Sequence, residues 1–157
     1  MKKAVLFILL ILFLTGCETQ SERDERKKNE EINKITDELK EEKIPEEAQQ
    51  WLIDTKMNSV VTIYCLSTST KCKKLEEVSN NIKTKYEDIK LYFYKLDEIE
   101  ESLKNVYKNT YELSDYTGYL PYISIIHKEN VISTHTDTLT EEEFINYLKE
   151  NKIITEE

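Results

Sequence analysis

Three cysteines are the residues of this 157-residue chain best suited to covalent chemistry: Cys17, Cys65 and Cys72. Cys65 lies seven residues before Cys72, at the end of an apolar run that reads as a strand. Brought within about 7 Å between Cα atoms, such a pair can close a disulfide. Kept apart, each is more commonly a small buried hydrophobe. Cys72 also opens a stretch of helical periodicity, where unpaired amides and the helix dipole lower a thiol pKa and favour a reactive, peroxide-sensitive thiolate. Burial raises that pKa again, and Leu75 and Val78 on the same face favour a packed, inert thiol. The sequence leaves a disulfide, a redox monothiol and an inert thiol open. Other chemistry is sparse. His127 and His135 flank a turn with no cysteine or carboxylate at metal-ligand spacing, so no metal is expected. Gly16 and Gly118 are the only glycines, too few for a phosphate-cradling loop, and no cofactor is expected. Acidic runs such as Glu98-Ile99-Glu100-Glu101 and Glu141-Glu142-Glu143 read as solvated faces and helix starts.

Cys17 has a different setting. Lys2 and Lys3 precede an apolar run from Ala4 to Leu14, and Leu14-Thr15-Gly16-Cys17 closes it. Charged, apolar and small-residue regions in that order make a secretory signal, and the run is too short for a membrane-spanning helix, which needs about 20 residues. The closing tetrapeptide resembles the lipobox of bacterial lipoproteins, which implies a signal peptide over residues 1–16 and acyl chains, palmitate among them, on Cys17. Two acyl chains at about 0.8 kcal/mol per buried methylene anchor a chain stably. The expected location is the outer face of the cytoplasmic membrane. Cleavage would remove Lys2 and Lys3 and no acid, leaving 20 basic and 31 acidic residues, a net charge of -11 in place of -9. Nucleic acid, which demands basic clusters, is not expected as a partner on that charge. Richness in Lys, Glu, Asn and Ile suggests an AT-rich, Gram-positive source.

Residues 17–45 lack aromatics and read as a charged tether, too polar to build a core. Ile32, Ile35 and Leu39 recur at helical spacing within it, a stripe expected to be solvated or to form a weak partner-binding face. Pro45 can open a helix carrying Ala48, Trp51 and Leu52 into a domain spanning residues 46–151, with 152–157 as a tail. Val60 to Leu66 is a continuous β-branched and aromatic run, a buried strand. Cys72, Leu75, Val78, Ile82 and Tyr86 line one helix face. Ile89 to Leu96 returns to strand, and Glu98 to Thr110 to helix, with Ile99, Leu103, Val106 and Tyr107 inward. Tyr122 to Ile126 and Val131 to Thr134 form a hairpin through Lys128-Glu129-Asn130. Thr140 and Glu143 form a capping box ahead of Phe144, Tyr147 and Leu148. A strand-helix-strand unit followed by a hairpin and a closing helix predicts an α/β domain, a mixed central sheet with helices on both faces.

Over residues 46–150 the chain resembles the thioredoxin superfamily. Val60-Val61-Thr62-Ile63-Tyr64 leads through a short loop into Ser69-Thr70-Lys71-Cys72-Lys73, where the family places its active-site loop. Tyr119-Leu120-Pro121-Tyr122-Ile123-Ser124-Ile125 looks like the family's segment in which a cis-proline opens a strand. The resemblance implies a thioredoxin-like fold, with Ser69 in the place of the attacking cysteine and Cys72 in that of the resolving one. A hydroxyl is a poor nucleophile toward sulfur without a strong base, so the usual two-cysteine cycle cannot run on Ser-x-x-Cys. Leu120 and Pro121 are the peptide-binding candidates that the resemblance implies. The expected function is a non-catalytic or weakly redox-active accessory lipoprotein, similar to thioredoxin-like accessory lipoproteins of Gram-positive bacteria and binding peptide or protein at the envelope. The rival is a thiol-disulfide oxidoreductase using Cys72, with or without Cys65, and a purely structural module is a third reading.

Overall fold

The computed structural model describes residues 19–110 and 120–155, with Lys108 and Thr110 through their backbone alone; Cys17 and the signal-like segment lie outside the described residues, as does Tyr119. The chain divides into two compact units, residues 1–38 and 39–157. The described part of the first is helical, part of α1 (Gln20–Glu41). Thr19 and Glu22 start that helix reciprocally: the Thr19 amide donates to Glu22 Oε2 at 2.7 Å and the Glu22 amide to Thr19 Oγ1 at 3.2 Å. Most of its surface is exposed, but Ile35 and Leu39 are buried, which corrects the expectation of a solvated apolar stripe. Burying a branched aliphatic side chain gains about 1.5–3 kcal/mol. At the end of α1 the Lys43 amide donates to Lys40 O and the Ile44 amide to Leu39 O, with Lys43 at φ 57°, the left-handed residue of a Schellman cap.

Pro45 then precedes α2 (Glu46–Met57), whose inner side buries Ala48, Trp51, Leu52 and Ile53. Next come β1 (Ser59–Cys65), α3 (Thr70–Lys85), β2 (Lys90–Lys95), α4 (Glu101–Thr110), β3 (Tyr122–His127), β4 (Asn130–Thr136) and α5 (Glu141–Glu150). The strands form one sheet in the order β2-β1-β3-β4, with β1 parallel to β2 and antiparallel to β3, and β3 antiparallel to β4. The mixed sheet with helices on both faces is as expected.

Period-two alternation along the strands gives the faces different chemistry. Val61, Ile63, Leu91, Ile123 and Ile125 turn to one side and pack with Leu75 and Ile82 of α3 and Phe144 and Leu148 of α5 in an all-apolar core. The opposite side is aromatic and polar. Trp51 Nε1 donates to Thr62 Oγ1 at 2.9 Å, the Trp51 ring meets the edge of Tyr107, and Tyr107 stacks on Tyr94 at 4.2 Å between centroids. The Tyr92 hydroxyl donates to Asp54 Oδ2 at 2.6 Å, giving a buried carboxylate a partner. A Trp or Tyr tolerates such burial when its N–H or O–H is paired, and these are.

Two elements differ from expectation. Helix α4 starts at Glu101, not Glu98, because the Glu98 amide closes a turn on Lys95 O at 2.9 Å and the Asp97 carboxylate is turned away to Ser67. The hairpin turn is Lys128-Glu129 alone, since Asn130 already pairs with His127. Both turn residues have positive φ, 45° and 66°, as a two-residue hairpin turn of the primed type requires. With no glycine available, α2 holds the turn: Lys128 N–H donates to Asn58 O at 3.4 Å and Glu129 N–H to Thr55 O at 3.0 Å. Thr140 and Glu143 make the predicted capping box at the start of α5.

Candidate functional site

Strand β1 ends at Cys65 and α3 begins at Thr70, so the intervening loop must bring the first turn of α3 back over the end of β1. Ser69 is the N-cap of that helix. Its backbone is extended and its Oγ accepts from the Cys72 amide at 3.4 Å. The residue standing where an attacking thiol would stand therefore satisfies one of the unpaired amides of the helix start.

Cys65 and Cys72 are joined by a disulfide, with 5.6 Å between Cα atoms. Both residues are 0 % exposed. The bond corrects the two readings of Cys72 as a free thiol: there is neither a reactive monothiol nor an inert one, and the pull of the helix terminus on a thiol pKa has no thiol to act on. The sulfurs are also closed to a protein-sized nucleophile in this conformation, because in-line attack on a disulfide requires access to one of them.

Two carboxylates hold the loop from neighbouring elements. Asp97, in the turn after β2, accepts from both donors of Ser67, the amide at 2.8 Å and the hydroxyl through a short bond. The Ser67 hydroxyl, followed by its amide, holds the Asp97 carboxyl below its ordinary range. Beside it, Leu96 N–H donates to Cys65 O at 2.8 Å, continuing the β1–β2 pairing to the disulfide. On the other flank Lys71 Nζ pairs with Asp137 Oδ1 at 2.8 Å, and this ammonium is the main cause of a lowered Asp137 pKa, with the Thr138 amide next. Asp137 in turn donates its amide to Pro121 O at 2.9 Å, which links the loop to the start of β3. The Leu120–Pro121 bond is cis, Pro121 is buried and Leu120 half-buried. The structure thus gathers Cys65, Ser69, Cys72 and, through Asp137, Pro121 around one end of the sheet. His127 lies at the opposite end of the sheet, its Nδ1 2.7 Å from Ser59 Oγ, and the His135 ring lies 5.9 Å from that of Tyr147.

Ser67, Asp97 and Asp137 were not singled out by sequence reasoning. Asp97 is thirty residues from Ser67, and no local spacing signals their contact. Asp137 carried one signal, an Asp before Thr138 at the end of a strand, a pattern that favours a local side-chain turn.

No protein-family model and no curated protein matches this chain. Solved structures do. One, described as the structural basis of the thiol resolving mechanism in yeast mitochondrial 1-Cys peroxiredoxin via glutathione/thioredoxin systems, is 12% identical, with 64% of this chain and 87% of that chain covered and a TM-score of 0.50. Mitochondrial thioredoxin 3 from Saccharomyces cerevisiae, in its oxidized form, is 13% identical over 64% of this chain and 87% of its own, at a TM-score of 0.49. Desulfothioredoxin from Desulfovibrio vulgaris Hildenborough, in its reduced form, is 11% identical over 61% and 85%, at 0.49. Likeness at such identities concerns the fold alone. With the first of these structures and the strand order above, the chain has a thioredoxin-like fold.

Proposed function

We propose that this chain is a membrane-anchored extracytoplasmic lipoprotein whose thioredoxin-like domain is a non-catalytic, or at most weakly redox-active, accessory that binds peptide or protein at the cell envelope. The observation that carries the reading is the closed and fully buried Cys65–Cys72 disulfide behind a helix cap at Ser69. A catalytic pair must present a sulfur to substrate, whereas a buried bond across a short loop acts as a staple. Lipid on Cys17 and an outward location fit a domain that keeps a disulfide, because oxidising compartments preserve such bonds and the cytoplasm reduces them. Leu120 and Pro121 remain the docking candidates by resemblance, and an envelope polypeptide is the proposed partner class. No cofactor is needed for this role.

The alternative, a thiol-disulfide oxidoreductase, draws on one observation: the pair is chemically complete. A substrate dithiol could pass two electrons and two protons to Cys65 and Cys72 and leave as a disulfide, with no third sulfur needed. An insulin-reduction assay on the full-length, detergent-solubilised chain separates the readings. The proposal predicts the rate of the reductant alone, unchanged by Cys72→Ser. Turnover above that rate, lost in Cys72→Ser, would replace the accessory role by the enzymatic one. The anchor has its own test: metabolic labelling with an alkyne fatty acid should mark the chain, and Cys17→Ser should abolish the label and release the protein from membranes.

A further inference from the structure

The segment between the two cysteines holds no fully buried side chain. Between the two cysteines, Leu66 is 39% exposed, Thr68, Thr70 and Lys71 are exposed, and Ser67 and Ser69 are half-buried. Besides the Ser69 cap on α3, it is tied to neighbouring elements by polar contacts on the surface: Asp97 on Ser67 at one end, Asp137 on Lys71 at the other. Segments with few buried contacts and exposed hydrogen bonds open locally at a lower cost than the whole domain.

We propose that Asp97, and to a smaller degree Asp137, form a latch that sets how readily the Cys65–Cys72 disulfide meets an external reductant. The loop Leu66–Ser69 opens together with the first turn of α3 while the sheet and the rest of the helices stay folded, and the latch determines how often. This inference rests on the reading of the pair as a closed, buried staple. The Asp97 contact is the stronger half, because one carboxylate receives two bonds from a single residue and one of its donors is a backbone amide that no rotamer change removes. The Lys71–Asp137 pair is half exposed on both sides and counts for less. A partner that offered its own cations to Asp97 or Asp137 would compete for the latch and expose the bond. The latch residues are positioning residues and touch no substrate.

The reaction that reads the latch is reduction by dithiothreitol: its two thiols become a cyclic disulfide as two electrons and two protons pass to Cys65 and Cys72. The rate is followed on the full-length, detergent-solubilised chain at fixed pH by acid quench, alkylation and mass spectrometry. Asp97→Ala should speed reduction roughly fivefold, the effect of losing both Ser67 contacts at an exposed site where water competes for them. Asp97→Asn, which keeps an acceptor for the Ser67 amide, should fall between Asp97→Ala and the natural chain, and Asp137→Asn should give roughly twofold. Ile82→Val, a core change remote from the loop that lowers the stability of the whole domain, should leave the rate unchanged. Equal acceleration by Ile82→Val would show that global unfolding opens the bond and would overturn the latch while leaving the staple intact. So would an unchanged rate in Asp97→Ala; if that variant does not fold, Ser67→Ala, which removes only the hydroxyl donor, must accelerate reduction for the proposal to stand. Two alkylated thiols in the untreated chain would remove the staple and the latch together.

Discussion

The two ends of the sheet solve one problem in different ways. At the hairpin end, the Lys128-Glu129 turn takes up positive φ without glycine and is held by backbone bonds to Thr55 and Asn58 at the end of α2. At the cysteine end, the loop between β1 and α3 is held by a covalent bond and two exposed carboxylates. Backbone bonds depend little on side-chain identity, so the hairpin end is fixed by topology. The cysteine end depends on particular side chains, Cys65, Cys72, Asp97 and Asp137 among them. The difference teaches where regulation or binding could act: at an end whose fastening is chemical and reversible, not at one fastened by the chain path.

The largest break in the comparison should come from the covalent tie. Replacing Cys65 and Cys72 together by Ala should lower unfolding stability by about 2–3 kcal/mol, the chain-entropy value for so short a ring. Urea unfolding would measure it, and a native-like circular dichroism spectrum should persist because the core beneath α3 and α5 is untouched. Next, Ser69→Ala removes the cap of α3 and should cost about 1 kcal/mol in the same assay. The hairpin end should respond in the opposite sense. Glu129→Gly relieves a side chain held at φ 66° and should be neutral or stabilising by about 0.5–1 kcal/mol, whereas no residue of the cysteine loop has positive φ to relieve.

The smallest and most local effect is in pH. Asp97 and Asp137 have pKa values lowered by Ser67 and by Lys71 respectively. A lowered folded-state pKa means that the carboxylate's contribution is present above the unfolded value and is lost as pH falls through the folded one. Both ties should therefore hold at neutral pH and loosen only in acid, below the range in which free aspartates titrate. A carbon-detected NMR titration should show both carboxyls among the last to protonate, and Ser67→Ala should bring Asp97 back toward its ordinary value while leaving Asp137 in place.

The sheet and its helices were legible because each signal is local. The continuous β-branched and aromatic run of β1, the three- and four-residue steps from Cys72 to Ile82, and the Thr140–Glu143 box each lie within one element, and the fold follows from their order. Errors fell where a distant residue overrules local pattern. Glu98 to Glu100 carries helix-forming residues, yet the turn after β2 is committed to the cysteine loop through Asp97. Ile35 and Leu39 sit in a stretch whose composition says tether, yet both are buried, which composition does not report. The cysteine pair is the plainest case. Spacing allowed a bond, a reactive thiol or an inert one, and only the Cα separation of 5.6 Å across the loop chooses among them. Ser69 was read as a missing sulfur; its second role, capping α3, depends on an extended backbone that the letters do not reveal.

The proposed role depends on a bond that is already made and sealed in the resting protein. The most direct measurement is alkylation of the native, unreduced full-length chain followed by trypsin and mass spectrometry. Cleavage after Lys71 falls inside the ring. Two peptides are expected, one ending at Lys71 and one beginning at Cys72, still joined through sulfur and carrying no alkyl group. The same two peptides, separate and each alkylated, would contradict that expectation.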